Sequence, residues 1–527
     1  MTDISTLVPP AESNENECSD VYKESYVKRF RTHAGSLIRG ITVELALFFA
    51  LFCEALRGVT QQTLLVDRVC RNQIHYSDNI CDNILNKTYK TQLLKVQDAS
   101  LDWKMINNLL LIIPTVFMSM VIGAWSDKHG RKFPLFLPLI GGAITQALLA
   151  IYSYFKSAPV YMLTLSLIPS SLFGIFIAIL ISLSYISDIT TKHERTSRIA
   201  YLEGFSFIGY PLGTLVAGLM FKQFGFTPVF VLGLVGEIVA VIYVWSRIKE
   251  TRGDMSIPLR KRMRDFLNCN MFVESCKTFT KKREGTKRSY IVLLLISLCC
   301  FLLYYGQEPV TDNSIPFYLE GLYRQTYSEF LKDLKNVGCD SSVGYFYSQL
   351  MFDWDDFQYS LYQTLTAVFG VLINLILIPV LSLYFGVSDI SMGAVGALSA
   401  FVNCMVFGYA FSGTLYYIGK FLGLFAYNLP VVIRSFMSKI VGEDELGKVF
   451  AFVSMVESLC PVLSSLLYLY IYKLTEKGFP SGTFFIGAFF MVIAAASFLW
   501  MDIQERRSRC KSKSNSQSVI TGEADPA

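Results

Sequence analysis

Gly123-Ala124-Trp125-Ser126-Asp127-Lys128-His129-Gly130-Arg131-Lys132 is a short polar turn between two long apolar runs, 105–126 and 133–155. Each run is close to the roughly 20 residues a helix needs to cross a hydrocarbon core of about 30 Å. The turn therefore joins two membrane helices. Gly123 presents no side chain, so another helix can approach closely there. Asp127, at a membrane edge, can face the positive N-terminal end of a neighbouring helix. Gly130 permits a tight turn. Arg131 and Lys132 hold the turn on one side of the bilayer and can pair with Asp127.

Working outward, further apolar runs lie at 41–65, 159–187, 197–221, 226–246, 290–310, 359–384, 389–411, 414–440, 447–472 and 483–501. With the first two they make twelve. The chain is 52% hydrophobic and only 17% charged, which excludes an ordinary soluble protein of 527 residues. Strands of a membrane barrel would be near 10 residues with alternating polarity, and these runs are neither. The expected fold is an all-α polytopic membrane protein of twelve transmembrane helices in two six-helix bundles.

Charge sets the orientation. The net charge of +5 says little, but its distribution is uneven. Segment 247–289 is strongly basic, as are the N-terminus, the 127–132 turn and the stretch from Arg506 to Lys513. Segment 311–358 is acidic, with Asp312, Glu320, Glu329, Asp333, Asp340, Asp353, Asp355 and Asp356. The positive-inside rule places both termini and the central loop in the cytoplasm, and 66–104 and 311–358 outside or in a lumen. Beside membrane helices the basic runs are topogenic, so no nucleic acid partner is expected. The polar stretch 1–40 is not a cleavable signal peptide. The domains expected are a cytoplasmic segment 1–40, a bundle 41–246, the loop 247–289, a second bundle 290–501 and a disordered tail 502–527.

Of the twelve cysteines, Cys70, Cys81 and Cys339 fall on the two outer segments. One disulfide among these three is expected, with the pairing open. The sequon Asn86-Lys87-Thr88 lies on the outer side, so Asn86 is a glycosylation candidate.

Two six-helix halves about a basic loop suit bundles that rock around a central site. The turn at 123–132 has the pattern Gly, three residues, Asp, a basic residue, any residue, Gly, Arg, a basic residue. It resembles the signature between helices 2 and 3 of the major facilitator superfamily, where Gly123, Asp127, Gly130, Arg131 and Lys132 would form a gate. The second half has no clean partner for it at Tyr384–Asp389. Further matches are Val43-Glu44, Ile186-Ser187-Asp188-Ile189-Thr190, Glu194-Arg195-Thr196, Arg198 to Glu203, Pro430 to Ser435, Ser438-Lys439 and Glu443 to Gly447. These resemble the proton-coupled folate transporter family (solute carrier family 46). The resemblance implies proton coupling at the helix 5 acid, Glu203, and substrate binding at the helix 10 arginine, Arg434. Where the folate-transporting member has a helix 7 histidine, this chain reads Tyr304-Tyr305-Gly306-Gln307-Glu308.

Charges inside apolar runs are costly and face water or a partner. Arg434 and Lys420 are candidate anion contacts, because a guanidinium can bind a carboxylate through two hydrogen bonds. Glu54 and Arg57, three apart on one helix face, can pair or line a cavity. Glu44 sits near a helix end and is expected to reach water. Glu237 and Glu457 lie deep in apolar runs. Tyr304, Tyr305 and Gln307 can contact a planar ligand, and Glu308 is a second coupling candidate. Gly209-Tyr210-Pro211-Leu212-Gly213 suggests either a bent helix or close helix packing.

No phosphate loop, metal-ligand spacing or nucleophile constellation is present, so no enzyme activity, metal or cofactor is expected, and protons are the expected coupling ion. The reading is a secondary transporter of an organic anion or related small metabolite, folate-like compounds included. An uncoupled facilitator, or a receptor or scaffold using the long outer loop, are the alternatives. Asp3-Ile4-Ser5-Thr6-Leu7-Val8 only approximates an acidic dileucine signal, leaving plasma membrane and endolysosomal membrane both open.

Overall fold

A computed structural model describes residues 41–253 except 83 and 85–88, isolated positions between 265 and 283, then 285–305, 351–352, 356–475 and 481–521. Asn86, Gln307, Glu308, Cys339, segment 1–40 and nearly all of segment 311–358 lie outside the described residues.

Among the described residues the chain forms long helices and no strand. They are α1 (Val43–Arg68), α2 (Lys90–His129), α3 (Lys132–Tyr154), α4 (Ile168–Ile189), α5 (Arg195–Phe224) and α6 (Phe226–Arg247). The second half holds α7 (Lys287–Tyr305), α8 (Asp356–Leu372, with π turns to Tyr384), α9 (Asp389–Gly408), α10 (Gly413–Ile440), α11 (Leu446–Thr475) and α12 (Gly482–Thr521). Ten are long and apolar enough to cross a membrane by length and composition. The other two, α1 and α11, carry Glu44, Glu54, Arg57, Lys448 and Glu457 within helices of 26 and 30 residues.

Sequence explains the breaks. Gly130 and Gly225 have φ of 114° and 79°, a left-handed backbone that favours glycine, and they end α2 and α5. Ser388 caps α9 by accepting from the Ser391 amide at 3.2 Å. Helix α10 is discontinuous: a 3-10 turn over Leu424–Asn428 separates Gly413–Leu422 from Leu429–Ile440.

Each half packs internally through α1 on α5, α3 on α6 and α9 on α12. The halves meet where α11 crosses α2 and α4, and where α5 meets α8 and α10. Outward faces are apolar. On α6, Val231, Val235, Ile238, Ile242 and Trp245 are exposed, while Gly233, Glu237, Ala240 and Val244 turn inward at helical spacing.

Two expectations change, and one open alternative is decided. Helix α2 starts at Lys90 rather than 105, and its 40 residues give a length of roughly 60 Å at about 1.5 Å per residue. That is about twice the hydrocarbon thickness, so its first part stands clear of the apolar layer and shortens the expected outer loop. Helix α12 continues to Thr521 instead of giving way to a disordered tail at 502. Residues 502–521 contain no Gly or Pro, and Asp502 pairs with Arg506 one turn later at 2.7 Å. Helix α5 runs unbroken through Pro211. Its glycines serve close packing, because a Cβ on Gly209 or Gly213 would sit 2.9 or 2.4 Å from the carbonyl oxygen of Phe48 or Phe52 on α1.

Candidate functional site

At the boundary between the halves, α5 contributes Glu203, α10 contributes Arg434 and α11 contributes Glu457. Arg434 donates to Oε1 of Glu457 through Nε at 3.0 Å and Nη2 at 2.6 Å. Its third nitrogen, Nη1, pairs with Glu203 of the other half. All three side chains are largely buried. One guanidinium thus holds two carboxylates: one within its own bundle, one across the boundary between the halves. Low dielectric strengthens such contacts and makes an unpaired member costly.

A column of side chains continues from Arg434 along α10. Lys420, Tyr427 and Arg434 follow one another at seven-residue intervals, before, within and after the 3-10 turn. The Lys420 ammonium lies 5.8 Å from the Tyr427 ring centre and 6.0 Å from that of Tyr362 on α8. Tyr427 meets Phe207 of α5 edge-on at 5.9 Å, one turn from Glu203. Tyr304 and Tyr305 instead pack on Phe301 of their own helix, at 6.1 and 5.8 Å.

Glu54 and Arg57 do pair, and Arg57 also donates to Gln61 at 3.0 Å. They line a separate cavity inside the first bundle rather than joining Arg434. Glu44 does not reach water. It is fully buried, pairs with Arg198 of α5 at 2.6 Å and accepts from the Thr42 amide at 2.7 Å.

The basic end of the molecule is latched across the halves. Asp127 accepts from the amides of Gly447 at 2.8 Å and Lys448 at 3.1 Å, in the first turn of α11. This anion satisfies amides that a helix start leaves free and complements its dipole. Arg131 fixes Asp127 at 2.7 Å and Asp188 of α4 at 3.0 Å, and is itself fully buried. Lys132 does not pair with Asp127; its ammonium donates to the Trp245 carbonyl at 2.8 Å. Glu250, just past α6, accepts from the amides of Arg131 at 2.6 Å and Lys132 at 3.1 Å, capping α3. Gly123 meets Gly447 so closely that a Cβ on the first would lie 2.4 Å from the carbonyl oxygen of the second.

A second latch needs no copy of the turn motif. Asp389, at the start of α9, accepts from Thr196 Oγ1 in the first turn of α5 at 2.9 Å, and from Lys439 at 2.7 Å and Ser435 at 3.1 Å. Arg195 donates across the same boundary to the Ser438 carbonyl at 2.8 Å. Arg252 of the central loop adds bonds to Asp188 at 2.9 Å and Asp444 at 3.3 Å. Glu445 holds Lys281 at 2.5 Å and Arg283 at 2.7 Å. Burial by itself would raise the Glu445 carboxyl, but these two cations outweigh it and hold it below the usual carboxylate range. Sequence reading marked Thr196, Ser438, Lys439 and Asp188 as family-like runs without a role, and passed over Asp389 and Glu250. On the opposite face, Cys70 and Cys81 form a disulfide with Cα atoms 5.9 Å apart.

These elements match known proteins. The family model described as Major Facilitator Superfamily matches residues 94–331. The proton-coupled folate transporter of Rattus norvegicus is 25% identical, over 88% of this chain and 92% of that one. The lysosomal proton-coupled steroid conjugate and bile acid symporter of Gallus gallus is 24% identical, over 88% and 94%. Among solved structures, the human organic anion transporter MFSD10 superposes with a TM-score of 0.62 at 13% identity, over 86% of this chain and 97% of that one. The chain is thus similar to the major facilitator superfamily over residues 94–331 and, over most of its length, to members of the proton-coupled folate transporter family.

Proposed function

We propose that the protein is a proton-coupled symporter of an organic anion, working by alternating access, with its basic end in the cytoplasm of a plasma or endolysosomal membrane. The observation that carries this reading is Arg434 held between Glu203 of one half and Glu457 of the other. A proton on Glu203 removes its charge and frees Arg434 Nη1. A substrate carboxylate then takes the vacated position, and Glu457 keeps the guanidinium aimed throughout. The cross-interface ion pair is thereby exchanged for a proton plus an anion, and the halves can separate on the closed side. Lys420 and Tyr427 extend the same wall and would receive a second anionic or aromatic part of the ligand. The relatives named for folate and for bile acid carry carboxylated molecules, which agrees with an arginine at the centre.

The test is uptake of labelled organic anions, folates included, into proteoliposomes at acidic and neutral pH, with Glu203→Gln in parallel. Acid-stimulated uptake whose pH response disappears in the variant is the expected result. Flux indifferent to pH and to the substitution would instead indicate an uncoupled facilitator. Binding without flux would indicate a receptor.

A further inference from the structure

The first bundle holds a partly open cavity of about 190 Å³ between α1, α2, α3, α4 and α6. Glu54, Arg57, Asn108, Thr115, Ser170 and Glu237 supply its polar lining. Glu237 enters from the inward face of α6, is only 4% exposed, and its Oε2 meets no hydrogen-bond partner. Room for it is made by Gly142 of α3, where a Cβ would lie 2.5 Å from Glu237 Oε1. The charged or titratable groups facing it are Glu54, Arg57 and the Cys53 thiol, all on α1. Helices α2, α3 and α4 present only neutral polar groups to the cavity. Arg57 is already engaged by Glu54 and Gln61. A carboxylate ion buried to this degree, with one oxygen lacking a protein donor, is far more costly than the neutral acid.

We propose that Glu237 is a proton-binding site of its own, loaded in this state and separate from the Glu203–Arg434–Glu457 cluster. The ligand is a proton and not a metal ion, because the Arg57 guanidinium shares the cavity. When the bundle admits water, the acid releases its proton to solvent, and the resulting carboxylate competes with Glu54 for Arg57. The side chain thus reports hydration of the first bundle as a change in protonation.

Infrared difference spectroscopy on the full-length protein in lipid nanodiscs, titrated from acidic to alkaline pH, tests this without knowledge of the substrate. The expected result is a protonated-carboxyl carbonyl component that persists at neutral pH, where ordinary carboxylates are ionised, and disappears only at alkaline pH. It is lost in Glu237→Gln and retained in Glu203→Gln. That neutral-pH component retained in Glu237→Gln overturns the proposal, and so does its absence in the unsubstituted protein. Because the amide copies the neutral acid in shape, failure of Glu237→Gln to fold while Glu237→Asp folds also overturns it. The Glu203→Gln uptake test is scored separately, so failure of the coupling mechanism and failure of this site are distinguishable.

Discussion

Gly123 of α2 and Gly447 of α11 lie backbone to backbone across the boundary between the bundles, each occupying the space where the other's side chain would be. Around this contact Asp127 reaches the first amides of α11, so the absence of one side chain and the presence of another act together.

Gly123→Ala should therefore act on state populations. The added Cβ would meet the Gly447 carbonyl oxygen at 2.4 Å. Overpacking of this kind costs about 1–3 kcal/mol, a shift of roughly 5- to 150-fold in the balance between closed and open forms. Cysteine accessibility at the basic end should rise and uptake should fall. Unchanged accessibility would separate this contact from gating.

Removing the central guanidinium should be far more damaging than exchanging it. Arg434→Ala leaves Glu203 and Glu457 buried without their cation, a change that costs about 3–5 kcal/mol. Poor expression and no uptake are expected. Adding Glu203→Gln to Arg434→Ala removes one stranded charge and should recover part of the thermal stability, without restoring transport. Arg434→Lys keeps the charge but loses the forked donation to Glu457, and should fold with uptake reduced.

The Asp389 latch is tested by Thr196→Val, which keeps the shape and removes the hydroxyl that reaches Asp389. Loss of a buried hydrogen bond to a charged group costs about 1.5–3 kcal/mol. The variant should fold, with increased labelling of cysteines placed at the basic ends of α5 and α10. If labelling stays at the level of the unsubstituted protein, the contact has no part in closure.

The pairing of Glu445 with Lys281 and Arg283 at the basic end has a defined pH window. Its carboxyl is held below the ordinary glutamate value of about 4.3. A depressed group stabilises the folded form above that ordinary value and loses its contribution as pH falls through the lower, folded-state value. Across mildly acidic to neutral pH the latch is constant. Glu445→Gln should leave the pH profile of uptake unchanged in shape, while the gap in thermal midpoint between it and the unsubstituted protein closes only in strong acid. A changed uptake profile would place a coupling role at the loop.

The twelve helices were legible because membrane spans write themselves as long apolar runs, and the turn at 123–132 because its function is local. The Asp127 partner was anticipated in kind, a helix N-terminus, but not in identity, since Gly447 lies 320 positions away. Asp389 was missed for the same reason: its partners Thr196 and Lys439 come from two other helices, and nothing in its own neighbourhood copies the motif. Glu44 was misread because position near a helix end predicts access to water, and only the packing of α5 brings Arg198 to it. Lys132 looked equivalent to Arg131 by charge, yet it follows the turn and points toward α6. The paired glycines of α5 carried two readings, and the proximity of α1 decides for packing.

The cluster of Glu203, Arg434 and Glu457 contains three formal charges that do not cancel. Empty, it totals minus one. With a proton on Glu203 and a monoanion on Arg434 it again totals minus one. In the proposed cycle the two crossings carry the same charge in opposite directions, so a complete turn transfers none and the membrane voltage drops out of the overall driving force. A dianionic cargo with a single proton would break that equality and make the complete turn electrogenic.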